Sequence, residues 1–313
     1  MLAQLRTALE ASTSLNQELS LRGFCVMDGC FSREVLLAMQ EEVVFLDDCH
    51  VLEPSPNSLQ GLDGETFSLV KPHISERSLV LRGELAVGTA TLGMVPHLKS
   101  LADSASELTS ALKSSCSVLS SLTSLDQLKV AIIREKGAFA VHTDTHPSTG
   151  RTTSITLYLT EDYQQARDAG ELRVFPFPYA HLDVAPLFGR MVIFSSCNLF
   201  HRVMPSTNVN ARCCLSIMFY GADAQFPYQG SVGGPSLPYP DTQLCTLFQN
   251  RRMLTPLVYL SEFKRSMLEA FSGDGQARQL ASAVSAFSSQ CDKARALLSP
   301  SMQAVLATLP VAT

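Results

Sequence analysis

Between Gln127 and Gly221 the chain repeats one pattern, a short apolar run followed by a turn. LKVAII, AFAVHTD, TSITLYLT, ELRVFPF, RMVIF, HRVMP and RCCLSIMFYG follow one another in this stretch. The runs are rich in β-branched and aromatic residues, which suit a pleated, half-buried surface. Many short strands at this spacing predict a sandwich or a barrel.

The flanks read differently. Residues 1–126 mix helix and strand signals and are expected to pack on the core as an N-terminal segment. Leu21 to Asp28 (LRGFCVMD) reads as a buried strand, and Ser32 as the N-cap of a helix with apolar residues at Leu36, Met39, Val43 and Leu46. Glu53 to Gly64, rich in Pro, Ser and Gly, reads as a loop, followed by short strand-like pieces as far as Leu81. Leu98, Leu101, Ala105, Leu108 and Leu112 mark another amphipathic helix. Beyond the core, taken as residues 127–222, a Pro/Gly-rich loop is expected over 223–241 and a helical extension over 242–313. The extension carries two stripes, Leu260-Phe263-Met267-Phe271 and Leu280-Val284-Phe287-Cys291-Leu298, parted by Gly273-Asp274-Gly275. They are expected to pack on the core or on a second subunit, which makes a homodimer through these helices one expectation.

The chain has 313 residues, 46% apolar and 17% charged, enough for a sizeable core and without a signature of disorder. A net charge of −5 and the lack of a basic run argue against nucleic acid as a partner. No apolar stretch reaches bilayer-spanning length, so no membrane partner is expected. Met1 to Gln17 lacks the apolar region of a secretory signal, and Glu10 and Glu18 make a mitochondrial presequence the weaker reading. Nine cysteines occur without a C-x-x-C pair, which reads as buried thiols in a reducing compartment. Adjacent Cys213 and Cys214 should face opposite sides of a strand. The protein is therefore expected inside the cell, in the cytoplasm or nucleus.

Within the strand-rich stretch lie His142-Thr143-Asp144, then His201, then Arg212 with Ser216 four residues on. On a strand, residues i and i+2 face the same side, so His142 and Asp144 can both reach one metal. His201 follows the RMVIF strand and is the candidate for a third ligand. Two histidines and one carboxylate can hold non-haem Fe(II) on one face and leave coordination positions open. An Arg on a neighbouring strand can grip the carboxylate of a dicarboxylate with paired, charge-assisted hydrogen bonds. An H-x-D alone is weak evidence, and each His read singly is as well explained by a surface or hydrogen-bonded position. His146, four residues past His142 and just before Pro147, reads as a turn residue.

The surrounding residues sharpen the reading. Gly150-Arg151, TSITLYLT with Tyr158, Gly170-Glu171-Leu172-Arg173-Val174-Phe175, Pro186-x-x-Gly189-Arg190, His201-Arg202-Val203-x-Pro205 and Arg212 fall in order. With them the chain resembles the prolyl-4-hydroxylase-like branch of the 2-oxoglutarate/Fe(II)-dependent dioxygenases, especially the hypoxia-sensing prolyl hydroxylases. The resemblance covers about residues 127–221, and LRGFCVMD with its helix looks like the family's N-terminal segment. It implies a mainly β fold with flanking helices around a double-stranded β-helix (jelly-roll) core. It also implies Fe(II) held by His142, Asp144 and His201, and 2-oxoglutarate and O2 as co-substrates, with ascorbate as a candidate reductant. Arg212 would pair with the distal carboxylate of 2-oxoglutarate, with Tyr158 and Ser216 hydrogen-bonding the same molecule. Arg151 matches a position near the substrate mouth, and Leu172 and Val203 match apolar pocket positions. The implied activity is hydroxylation of a C–H bond in a protein or small-molecule substrate, first of all a prolyl residue of a protein.

Three positions depart from the family pattern. Where a Tyr usually precedes the H-x-D strand, this chain reads Ile133-Arg134-Glu135-Lys136-Gly137. The family's Gly-Gly is Ala169-Gly170, and its Trp near the end of the last strand is replaced around Met218 in a chain with no Trp. The departures leave the metal and co-substrate reading intact and leave the substrate open. Competing readings are the same chemistry on another side chain or a small metabolite, a Zn(II) hydrolase using the same three ligands, and a non-catalytic binding platform.

Overall fold

The repeated strand signal resolves into two antiparallel sheets packed face to face. The computed structural model describes residues 2–60, 66–145, 149–207, 212–222, 240–273 and 275–309. In chain order the strands are β1 (Phe24–Met27), β2 (Glu53–Gln60), β3 (Thr66–Leu81), β4 (Glu84–Leu85), β5 (Leu122–Ile133), β6 (Arg151–Tyr158), β7 (Leu172–Phe175), β8 (Leu182–Val184), β9 (Met191–Ser195), β10 (Phe200–Val203) and β11 (Arg212–Gly221). The helices are α1 (Leu2–Ala11), α2 (Leu15–Arg22), α3 (Arg33–Asp48), α4 (Thr89–Gly93), α5 (Pro96–Asp103), α6 (Ala105–Ser115), α7 (Gln165–Asp168), α8 (Asp241–Gln249), α9 (Arg251–Val258), α10 (Leu260–Ala270), α11 (Ala277–Ala296) and α12 (Pro300–Ala307).

The larger sheet has the order β1-β9-β6-β11-β5-β3-β2, with β4 on β3; the smaller is β10-β7-β8. The extended segment before His142 runs beside β10. Phe139 N–H donates to Val203 O (3.1 Å), and His142 and His201 exchange backbone hydrogen bonds of 3.0 and 2.9 Å. Inward residues of both sheets, among them Ala131, Tyr158, Cys214, Leu172 and Val203, form one cluster between them. The opposite face of the larger sheet, with Val130, Ile132, Leu215 and Ile217, packs under Leu5, Leu19, Met39 and Leu108 of the N-terminal helices. Both faces being buried, these strands read as nearly continuous apolar runs. Full burial stabilises each such Leu or Ile by about 1.5–3 kcal/mol. Cys213 and Cys214 fall on opposite faces, as expected. The architecture is the expected one, a β core of jelly-roll type flanked by helices.

Several local expectations are corrected. Leu21 belongs to α2, whose Leu15 and Leu19 are fully buried; Gly23 ends that helix at φ 77°, and the strand starts at Phe24. Ser32 does cap α3, its hydroxyl accepting from Val35 N–H at 3.4 Å. Residues 53–60, expected as a loop, form β2; an edge strand accommodates Pro54 and Pro56, which cannot donate to a ladder. The short pieces expected as far as Leu81 are the single strand β3, its register slipping against both neighbours. The helix expected over Leu98–Leu112 is broken at Ser104 into α5 and α6.

The two C-terminal stripes fall on α10 and α11. They pack on this chain's own core, with Met267, Phe271 and Leu280 against Phe67 and Leu69 of β3, and Phe263 against Phe175 and Phe200. Of the loop expected over 223–241, residues 223–239 lie outside the described residues, as do His146, Asp274 and 61–64. No helix among the described residues is long and apolar enough to cross a membrane.

Candidate metal centre and co-substrate pocket

Strand pairing assembles the three candidate ligands. His142 and His201 stand opposite each other across the bridge between the pre-strand segment and β10, and Asp144 follows two residues later. Their ligand atoms lie within 4.8 Å of one another. Asp144 Oδ1 is 3.5 Å from Nε2 of each histidine, and the two rings are 4.4 Å apart at their centroids. The far nitrogen of each ring is engaged: His142 Nδ1 lies 2.8 Å from Ala140 O and His201 Nδ1 3.1 Å from Leu199 O. A carbonyl can only accept, so each Nδ1 engaged there carries a proton, which leaves Nε2 of each ring as the atom on the Asp144 side, the one a metal would take from the neutral ring. Phe194 sets the His201 ring edge-on at 4.7 Å.

The electrostatics suit ligation. Burial and the neighbouring His201 pull the pKa of His142 below its ordinary value, favouring the neutral ring that binds metal. Burial alone would raise the Asp144 carboxyl, but the two histidines outweigh it and hold it well below the usual carboxylate range. Two imidazole nitrogens and one carboxylate oxygen gathered within 4.8 Å of one another are a donor set that fits Fe(II).

The cavity beyond these residues lies between the sheets and is walled in part by Leu172, Val203, Thr156, Ser216 and Met218. Arg212, 3% exposed, is part of the same cavity wall. Its guanidinium lies over the Tyr158 ring at 4.9 Å and donates to Gly170 O, while its Nε has no hydrogen-bond partner among the described residues. Among the described residues no carboxylate pairs with Arg212. Gly170 is held at φ +76°, and a Cβ there would meet the Arg212 guanidinium at 3.3 Å. The preceding Ala169, where the family has a second glycine, sits at φ 45°, a strained conformation for a residue with a side chain. Burial, opposed by the neighbouring Arg212, pushes the Tyr158 hydroxyl well above its ordinary pKa, and among the described residues no acceptor or donor completes a hydrogen bond of good geometry with it. Among the described residues Arg212 and Tyr158 thus leave buried donors with no protein acceptor, a costly state that an anion in the cavity would relieve.

Arg151, expected near the substrate mouth, is braced within the protein. Its Nε donates to Asp126 Oδ2 (2.6 Å), and its other nitrogens to Gln127 Oε1 (3.2 Å) and the Asp144 carbonyl (3.3 Å). Sequence reading missed a second brace, from the C-terminal helices. Arg252 of α9 donates to Thr143 Oγ1 (3.2 Å), Thr145 O (3.1 Å) and Cys197 O, joining the H-x-D loop to the turn before His201. Ser266 of α10 accepts from Val141 N–H at 3.0 Å. Nothing local marks either residue, since each lies more than 50 positions past His201 in a stretch that reads simply as helix.

Residues 128–220 match the family model described as 2OG-Fe(II) oxygenase superfamily. Among solved structures, a prolyl 4-hydroxylase from Phytophthora capsici is 23% identical, with 95% of this chain and 96% of that one covered at a TM-score of 0.65. A Trichoplax adhaerens prolyl hydroxylase, solved with a hypoxia-inducible-factor oxygen degradation domain peptide, is 18% identical over 71% of this chain and 94% of that one, TM-score 0.54. A Pseudomonas putida prolyl-4-hydroxylase is 18% identical over 67% and 98%, TM-score 0.50. No curated protein matches the chain. At these identities the structural likeness shows a shared fold, and in the first case one that takes in the helical flanks.

Proposed function

We propose, from the match of residues 128–220 to the 2OG-Fe(II) oxygenase superfamily model, that the chain is an oxygenase of this kind and hydroxylates a prolyl residue of a protein. The observation that carries the co-substrate reading is the buried Arg212, unpaired with any carboxylate of the described residues, in one cavity with the His142–Asp144–His201 cluster. Iron with 2-oxoglutarate and O2 supplies the oxidising power, the co-substrate ending as succinate and CO2 and one oxygen atom entering the substrate C–H bond. The protein's residues do the rest. His142, Asp144 and His201 hold one face of the metal. Arg212 neutralises the distal carboxylate of 2-oxoglutarate, Tyr158 and Ser216 hydrogen-bond it, and Leu172 and Val203 keep water from the cavity. A Zn(II) hydrolase would leave Arg212 buried without a task. The prolyl target is supported by the likeness to the prolyl hydroxylases above. All nine cysteines are free, in keeping with a place in the cytoplasm or nucleus.

The test is a mixture of protein, Fe(II), 2-oxoglutarate, ascorbate and a library of prolyl peptides, read by succinate release and peptide mass. The expected result is one oxygen atom gained on proline in step with succinate. Turnover stimulated by lysyl peptides or free metabolites, and never by prolyl peptides, would overturn the substrate while leaving the chemistry standing.

The Arg252 brace carries a further prediction. Arg252→Ala removes hydrogen bonds to both ligand-bearing loops and should weaken Fe(II) binding roughly tenfold or more, as loss of the groups that orient ligands does elsewhere. Metal titration of the folded variant checks this, and an unchanged Fe(II) affinity would show the brace to be irrelevant to the site.

A further inference from the structure

One wall of the cavity carries Lys129, a charge that neither the metal nor 2-oxoglutarate uses, and Glu76 and Lys71 stand beside that wall. Lys129 of β5 lines the cavity, directly across the ladder from Ser216 of β11. Its ammonium donates to Glu76 Oε2 of β3 at 2.9 Å, and Ser55 of β2 donates to the other Glu76 oxygen at 2.6 Å. Lys71, opposite Ser55 on β3, is 5% exposed. Its Nζ lies over the Phe139 ring, 4.3 Å from the centroid. Phe139 is itself part of the cavity wall and stacks against His142 at 6.0 Å. Among the described residues no carboxylate forms an ion pair with Lys71.

Two ammonium groups therefore share one carboxylate. Burial, opposed by Glu76 and aided by Lys129, pulls the Lys71 pKa down to about 8. Burial alone would raise Glu76, but Lys129 and Lys71 outweigh it and bring it to about 2, so it is ionised at neutral pH. A buried ammonium without a paired carboxylate lowers stability, and a cation–π contact offsets that only in part.

Resting on the function proposed above, the charges in the cavity and against its wall can be counted. A divalent ion with one carboxylate ligand keeps a single positive charge, and Arg212 adds another. The two carboxylates of 2-oxoglutarate balance both. Lys129 and Glu76 balance each other. Lys71 remains. We propose that Lys71 and Lys129, gathered around Glu76 beside Phe139, form a subsite for a carboxylate of the substrate, so that the group hydroxylated lies next to an acidic group.

The shared chemistry has two sources, a free carboxylic acid or an acidic side chain of a peptide, and matched pairs of probes separate them. The first pair is N-acetyl-L-proline and N-acetyl-L-prolinamide. The second is a short amide-capped Ala-Ala-Pro-Glu-Ala peptide and its Gln counterpart. Each is titrated calorimetrically, without oxygen, into Fe(II)- and 2-oxoglutarate-loaded protein, whose visible charge-transfer band is recorded first. Without that band the underlying reading has failed. With it, the acid of at least one pair should bind roughly ten- to a hundredfold tighter than its neutral partner, the range of a hydrogen bond to a charged group.

Preference in the first pair alone identifies a free acid, and in the second alone an acidic side chain; both outcomes support the subsite. In Lys71→Met the preference should fall toward unity while Tm rises, because an apolar side chain replaces an unpaired buried cation. A purely structural lysine would give a lower Tm and an unchanged preference. Lys71→Gln serves as the second variant should Lys71→Met fold poorly, and the wild-type preference needs no variant. With the band present, equal or undetectable binding within both pairs overturns the proposal, as does full preference retained in either Lys71 variant.

Discussion

His201→Ala is expected to lose Fe(II) affinity by about a hundredfold or more while the chain stays folded. His201 is 5% exposed, and its orientation is set twice, by Nδ1 on Leu199 O and by the Phe194 ring. A ligand held this way gives its lone pair without losing side-chain freedom on binding, so truncation removes both a donor atom and that preorganisation. It also strips Asp144 of one of the two groups that hold its carboxyl ionised. Fe(II) titration beside a melting curve checks the result. Affinity within about threefold of wild type, less than 1 kcal/mol, would mean that the cluster is not the metal site.

Arg212→Ala should separate the co-substrate from the metal. Truncating one partner of a buried charge pair costs about 2–5 kcal/mol, so 2-oxoglutarate should bind roughly thirtyfold weaker or worse. Metal content should stay near wild type, because Arg212 touches Gly170 and Tyr158 and none of the three ligands. The unliganded variant should be no less stable than wild type, since it no longer buries an unpaired guanidinium. Wild-type affinity for 2-oxoglutarate in Arg212→Ala would remove Arg212 as its anchor.

The parts of this molecule that can be read from the chain are those written locally. β11 coincides with the RCCLSIMFYG run because both its faces are buried, leaving a continuous apolar signal with clear ends. Ser32 announces α3 because a cap and an apolar stripe lie within one stretch of sequence. His142 and Asp144 are legible as a pair because they sit two residues apart. Failures arise where a distant partner decides. Residues 53–60 carry prolines that read as a loop, and they become a strand because the long β3 offers them an edge. Leu21 reads as strand until Gly23 is seen to end a helix before it. Arg252 and Ser266 act on the H-x-D loop from helices far along the chain, and Lys71 reaches the cavity wall through the fold of β3 against the pre-strand segment; no spacing in the sequence reports either.

The most direct measurement is an anaerobic titration of the Fe(II)-loaded protein with 2-oxoglutarate, followed in the visible range. A metal-to-ligand charge-transfer band that grows to saturation in wild type and is absent in His201→Ala is the predicted result. Well-folded, iron-loaded protein that develops no band would contradict the assignment of this cavity to 2-oxoglutarate.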